Sequence, residues 1–229
     1  MKTSARDSSA AQAVTPGEAA PSVERYFTVR GTVETEIEIS RSRFLTRLER
    51  VSSEDEAREV IASVRQTHPK ARHHCTAFVL GADEHVQRSN DDGEPSGTAG
   101  APMLDALNSA HLSDVVAVVT RYFGGVLLGA AGLTRAYRRA VAEATQRAQR
   151  QERRLLTPVT LTLAYEAAAP LEAEARRRGY VVSDAEYTEQ VRQTYLLAAR
   201  EIDAFTQLAA EHSAGASKPS VGSPRFIDL

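Results

Sequence analysis

"DVVAVVTRYFGGVLLGAAGLTRAYRRAV", residues 114–141, decides the fold. Its first ten residues are an apolar run rich in β-branched side chains, the pattern of a strand covered on both faces. The glycines of "GGVLLGAAG" then turn the chain into a helix. Leu133, Ala136, Tyr137, Ala140, Val141, Ala144 and Ala148 recur at helical spacing and mark its buried stripe. Arg135, Arg138, Arg139 and Arg147 fall outside that stripe, and the helix is expected to run to about Arg154.

Upstream, residues 26–51 alternate at Val33, Thr35, Ile37 and Ile39, as a half-solvated strand does. Ser53 and Glu56 then form a capping box ahead of a helix carrying Ala57, Val60, Ile61 and Val64. Pro69 ends it, and "CTAFVLG" (75–81) reads as the next strand. "PMLDALNSAHL" is a short helix with Pro102 in its first turn, where an N–H is dispensable.

Downstream, Thr157–Pro158 opens a second unit. "VTLTLAYE" alternates as a strand, and "PLEAEARRRG" is a helix ended by Gly179. Two strands and the helix "EIDAFTQLAAEH" follow. The order βαββα lacks one strand of the split-βαβ plan. "SAGASKPSVGSPRFIDL" is a poor strand sequence to supply it. Two α+β units result, one over 26–152 and one over 157–229, meeting near 153–157.

The 229 residues are 42% hydrophobic and 25% charged, ordinary globular usage. A net charge of −2 gives no global field for nucleic acid, so any polyanion contact needs a local patch. One cysteine, Cys75, excludes an intramolecular disulfide framework. Residues 1–25 lack the apolar core of a signal peptide and read as a disordered tail. No apolar stretch reaches the roughly 20 residues of a membrane helix. A cytoplasmic protein without membrane contact is expected; the oligomeric state is unknown.

"SNDDGEPSGTAGAPML" (89–104) is too polar and too broken for a core strand. Asp92–Gly93 suits a solvated turn. The carboxylates of Asp91, Asp92 and Glu94 suit ion pairs with Arg121 or Arg135, and less well a hard metal. An EF-hand register with Gly93 at its sixth position puts Arg88 first and Ala99 twelfth, so it fails. Gly124 to Gly129 has the glycine spacing of a phosphate-binding P-loop, but alanines follow where lysine and a hydroxyl are required. No cofactor, zinc or nucleophile-elbow motif is present.

What survives is a constellation. A buried strand ends at Arg121–Tyr122 and enters glycines at a helix start, where free N–H groups favour anions. The same glycines also suit a plain tight turn. In "RHHC" (72–75), His73 and Cys75 share one strand face, more the pattern of inert core than of a nucleophile and base.

"DDGEPSGTAGAPML", "VVTRYFGGVLLGAAGLTRAYRRAV" and "ARHHCTAF" closely resemble the signature of the IMPACT/YigZ family. The resemblance covers about residues 26–150 by motif, and 157–213 by pattern. It implies a first domain with the left-handed βαβ fold of a ribosomal small-subunit protein's second domain. It implies a ferredoxin-like second domain similar to one in elongation-factor-G-type proteins. It also implies a link to control of translation, without an agreed catalytic activity. Ala131 departs from the family's Gly-Gly pair, which matters if that position needs positive φ.

The candidate binding surface therefore joins Asp91, Asp92, Glu94 and Thr98 to Arg121, Tyr122, Gly124, Gly125 and Gly129. Arg135 and Tyr137 complete it, with His73 and Cys75 secondary. The expected function is non-enzymatic binding to RNA, the ribosome or a protein partner. The alternative is an enzyme acting on a small phosphorylated or peptide-like substrate. Arg121 and Arg135 are expected to act as free forks for anions. Arg147, Arg150, Arg153 and Arg154 are expected to form a phosphate-binding face.

Overall fold

The computed structural model describes residues 23–229. The tail expected over 1–25 therefore falls outside the described residues up to Ser22. Arg25 already opens the first strand.

Residues 26–51 divide into β1 (Arg25–Val29), β2 (Thr32–Ile39) and β3 (Ser42–Arg50). The β2–β3 hairpin turns on Ser40 and Arg41, both at positive φ. Helix α1 (Glu54–Thr67) follows; Ser53 Oγ accepts from Glu56 N, and the Glu56 carboxylate caps Ser52 N at 2.7 Å. The box thus closes one residue earlier than the sequence spacing suggests. β4 (His73–Leu80) pairs with β5 (Val86–Asn90), a strand hidden in the sequence by its polarity. Then come α2 (Gly100–Ser109), β6 (Val115–Tyr122) and α3 (Gly129–Arg147).

β6 sits at the centre of a five-stranded antiparallel sheet of order β2-β3-β6-β4-β5. Its two faces explain its apolar run. Val115, Ala117 and Val119 pack toward α2 and α3, while Val116 and Val118 pack with Ala57 and Val64 of α1. The expected helical stripe is buried from Leu133 to Ala144, and Ala148 is partly buried against the same core.

Helix α3 ends at Arg147, seven residues short of the expected end near Arg154. Ala148 is extended, and β7 (Arg150–Leu163) begins two residues on. Nothing in "RQERR" favours a strand locally. Pairing decides it: β1 lies along residues 150–154, and the later strand β11 (Arg225–Asp228) along 153–156. Tertiary pairing overrides local propensity here.

β7 continues into the second unit with α4 (Tyr165–Arg177), β8 (Val181–Tyr187), β9 (Val191–Leu197), α5 (Ile202–His212) and β10 (Ser220–Val221). Helix α4 starts five residues before Pro170, which lies inside it and not at its start. The strand order β10-β7-β9-β8 is the antiparallel split-βαβ arrangement. The doubtful last strand exists as two short pieces, β10 and β11. The two-unit α+β architecture holds, but no linker separates the units: one strand runs through the expected boundary.

Candidate functional site

β4 and β6 are adjacent, so the loops after β5 and β6 emerge at one end of the sheet beside the start of α3. Between them lies an open groove of about 770 Å³. Its walls include Lys70, Arg72, His73, Glu94, Pro95, Arg121, Phe123, Leu127, Gly129 and Leu133.

The acidic loop builds one wall by satisfying backbone. Asp91 accepts N–H bonds from Gly97, Ala99 and Gly100 at 2.8–2.9 Å, serving as a remote cap for α2. Burial opposes its charge, but these donors together outweigh it and hold its carboxyl below the usual range. Asp92 accepts from Arg65 and from His74 N, both at 2.6 Å. Its carboxyl is likewise lowered, burial being outweighed by Arg65 and that N–H. Thr98 donates to Pro95 O at 2.7 Å and closes the turn.

Glu94 is buried and points inward, accepting from Arg121 at 2.7 Å and from Tyr137 at 2.8 Å. The Tyr137 ring stands edge-on to Phe44, with centroids 5.3 Å apart. The Arg121 guanidinium lies between the Phe44 and Phe123 rings, at 5.5 and 5.7 Å from their centroids. The free-fork expectation for Arg121 is therefore corrected: it is 7% exposed and Glu94 holds its NH1. Arg135 is exposed and has no ion pair among the described residues. It does not join the acidic loop.

The glycines have separate jobs. Gly124 donates to Ser42 Oγ at 3.2 Å, and an added Cβ there would sit 2.0 Å from the Arg41 backbone. Gly125 and Gly129 take positive φ with open space around them. Ala131 does not: it lies in the first turn of α3, so its departure from the family pattern carries no backbone strain. Tyr122 is half-buried, its hydroxyl 3.1 Å from His68 Nδ1.

His73 Nδ1 lies 2.9 Å from Asp92 O. A carbonyl only accepts, so Nδ1 carries the proton and Nε2 is left as an acceptor in the neutral ring. Cys75 is fully buried and donates to Asp91 O, and burial pushes its thiol up to about 12. It is core, as its strand position implies.

Of the four arginines expected to form a phosphate-binding face, Arg147, Arg150 and Arg154 are exposed and each has a local partner. Arg147 pairs with Glu143 and Arg154 with Glu152, and Arg150 lies over the Phe27 ring at 4.5 Å. Arg153 binds Asp114 at 3.1 Å, Asp228 at 3.0 Å, and Tyr26. The groove's own cations are Lys70 and Arg72, and the sequence around them, including "RHHC", carries no signal of that role. The exposed Phe123 (55%) and Leu127 (88%) were hidden inside an apolar-looking run. No group of three metal-ligating side chains occurs among the described residues.

Comparison with known proteins agrees with this architecture. The family model of the Impact N-terminal domain matches residues 40–145, and a domain of unknown function (DUF1949) matches 161–216. The chain is 40% identical over 203 residues to "IMPACT family member YvyE" of Bacillus subtilis (strain 168), covering 89% of this chain and 94% of that protein. It is 38% identical over 180 residues to "IMPACT family member YigZ" of Escherichia coli (strain K12), covering 78% and 88%. A solved structure described as "Crystal structure of an hypothetical protein" is similar at a TM-score of 0.59 and 35% identity, over 86% of this chain and 96% of that one.

Proposed function

The chain belongs to the IMPACT family, and from that premise we propose that it is a binding protein, without chemistry of its own, that works in translation by docking RNA or the ribosome along the groove. One observation carries the reading. Each signature carboxylate is already occupied: Asp91 by three N–H groups, Asp92 by Arg65 and His74 N, Glu94 by Arg121 and Tyr137. Both oxygens of Asp91 and of Asp92 are taken, and Glu94 is held by its two donors through Oε1. What faces outward is cationic and apolar: Lys70 and Arg72 beside Phe123 and Leu127. That combination suits phosphates flanked by bases that stack.

The enzymatic alternative rests on His73, whose Nε2 is free to accept a proton while Nδ1 is held. Its strand neighbour Cys75 supplies no second catalytic group, because it is buried and protonated.

Ribosome co-sedimentation of the full chain at low and high salt tests the proposal. Binding should fall steeply with salt and be lost in Lys70→Glu/Arg72→Glu. Absence of wild-type association with ribosomes and with RNA refutes it. Turnover of a phosphorylated or peptide substrate that disappears in His73→Asn would establish the alternative.

A further inference from the structure

Two helices start beside this groove, and they differ in what fills their first turn. The α2 N–H groups are taken by Asp91. The α3 start has no side-chain cap and no acidic residue in its first turn. It is a 19-residue helix whose opening residues, Gly129 and Ala130, line the groove and are exposed. Uncapped N–H groups at the start of a helix favour an anion.

A second, independent feature points the same way. Arg121 lines the groove while 7% exposed, and its Nε has no hydrogen-bond partner. Glu94 satisfies NH1 at 2.7 Å, but NH2 reaches only Ser42 Oγ, at 3.5 Å. A buried guanidinium normally spends its donors. This one keeps its Nε unspent beside Phe123, a ring more than half exposed. Lys70 and Arg72 stand exposed at the rim, without ion pairs among the described residues.

We infer that the start of α3, Arg121, Lys70 and Arg72 together form a site for a phosphate group. Tetrahedral phosphate accepts from several directions at once, matching backbone N–H groups on one side and side-chain cations on the other. The groove, at about 770 Å³, has room for a nucleoside attached to that phosphate. Both a phosphorylated RNA end and a small phosphorylated molecule carry this chemistry. The inference rests on the groove being the contact surface, as proposed above, and names what it holds.

The test uses the full chain with inorganic phosphate as the first probe, followed by calorimetry and by ³¹P line broadening. A nucleoside 5′-monophosphate, a 5′-phosphorylated RNA hexamer and its 5′-hydroxyl twin separate the sources. Ala130→Asp places a carboxylate in the first turn of α3, which the helix dipole tolerates or favours, so the fold survives. Phosphate affinity should drop about tenfold or more in Ala130→Asp, and about tenfold in Lys70→Ala/Arg72→Ala, with unchanged thermal midpoints. Tighter binding of the 5′-phosphorylated hexamer than of the monophosphate assigns RNA ends; the reverse assigns a small molecule.

No phosphate binding by wild type, or binding untouched by Ala130→Asp, overturns the site. If co-sedimentation with ribosomes is then still lost in Lys70→Glu/Arg72→Glu, the translational reading survives the loss of the site. Phosphate binding abolished by Ala130→Asp in a protein that never associates with ribosomes or RNA upholds the site and removes that reading.

Discussion

The Glu94 carboxylate and the Arg121 guanidinium meet at 2.7 Å with side-chain exposures of 4% and 8%. They join the acidic loop to the end of the central strand. Removing one member of a buried pair strands the other charge, at a cost of roughly 3–5 kcal/mol. Arg121→Ala is therefore expected to lose about that much in urea unfolding. Glu94→Gln with Arg121→Met should lose less than the sum of the single changes, since neither charge remains. Arg135→Ala, by contrast, should stay within about 0.5 kcal/mol of wild type. An Arg121→Ala protein as stable as Arg135→Ala would show the pair to be dispensable.

Gly124→Ala should be among the most damaging small changes. The added methyl would meet backbone atoms of Arg41 at 2.0 Å, which cannot yield as a flexible side chain would. The β2–β3 turn and the loop carrying Phe123 must separate. A cost of about 1–3 kcal/mol is expected by overpacking alone, with groove binding reduced in parallel. Gly125→Ala, in open space but at positive φ, isolates the conformational cost alone.

Cys75 should resist thiol reagents at neutral pH, because its thiol titrates near 12 and has no access to solvent. Labelling should proceed only through unfolding and accelerate in step with urea. Cys75→Ser is expected to retain groove binding. Fast labelling of the native protein would contradict the burial of this side chain.

Acid should weaken the fold in two stages. His74 is buried against Thr120, and burial lowers its pKa below the usual value. Its neutral form is favoured when folded, so its contribution is complete above about pH 6.5 and is lost as pH falls below that. Asp91 and Asp92 are lowered too. Their contribution is complete above about pH 4 and is lost as pH drops through their lowered values. Asp91→Asn should flatten the second stage and cost roughly 1–3 kcal/mol at pH 7, as charged hydrogen bonds do. His74→Asn should remove the first. Unfolding free energies from urea titrations between pH 3 and 8 will resolve the two.

Elements whose burial follows from local pattern could be read from the sequence. The two-faced apolar run of β6 and the 3.6-residue stripe of α3 are of this kind. Elements defined by partners were not legible: "RQERR" is a strand only because β1 and β11 lie beside it, and "VQRSN" only because β4 does. At the site, glycines, acids and Arg121 were visible as a group, but their direction was not. The sequence leaves open whether Glu94 faces water or Tyr137. The inward turn makes the acids structural and leaves the groove to Arg72, whose role nothing in "ARHHCTAF" reveals, and to Lys70, which no motif marks.

β7 is a single extended segment of fourteen residues that pairs with β1 and β11 along its opening half and with β9 and β10 along its remainder. Mechanically it is a beam and not a hinge. A torque applied to the second unit passes along a hydrogen-bonded backbone to the end of the first sheet where Arg153 meets Asp114, at the start of β6 and away from the groove. A load arriving at either end of the molecule, such as a moving partner would deliver, is thus felt at the other as twist.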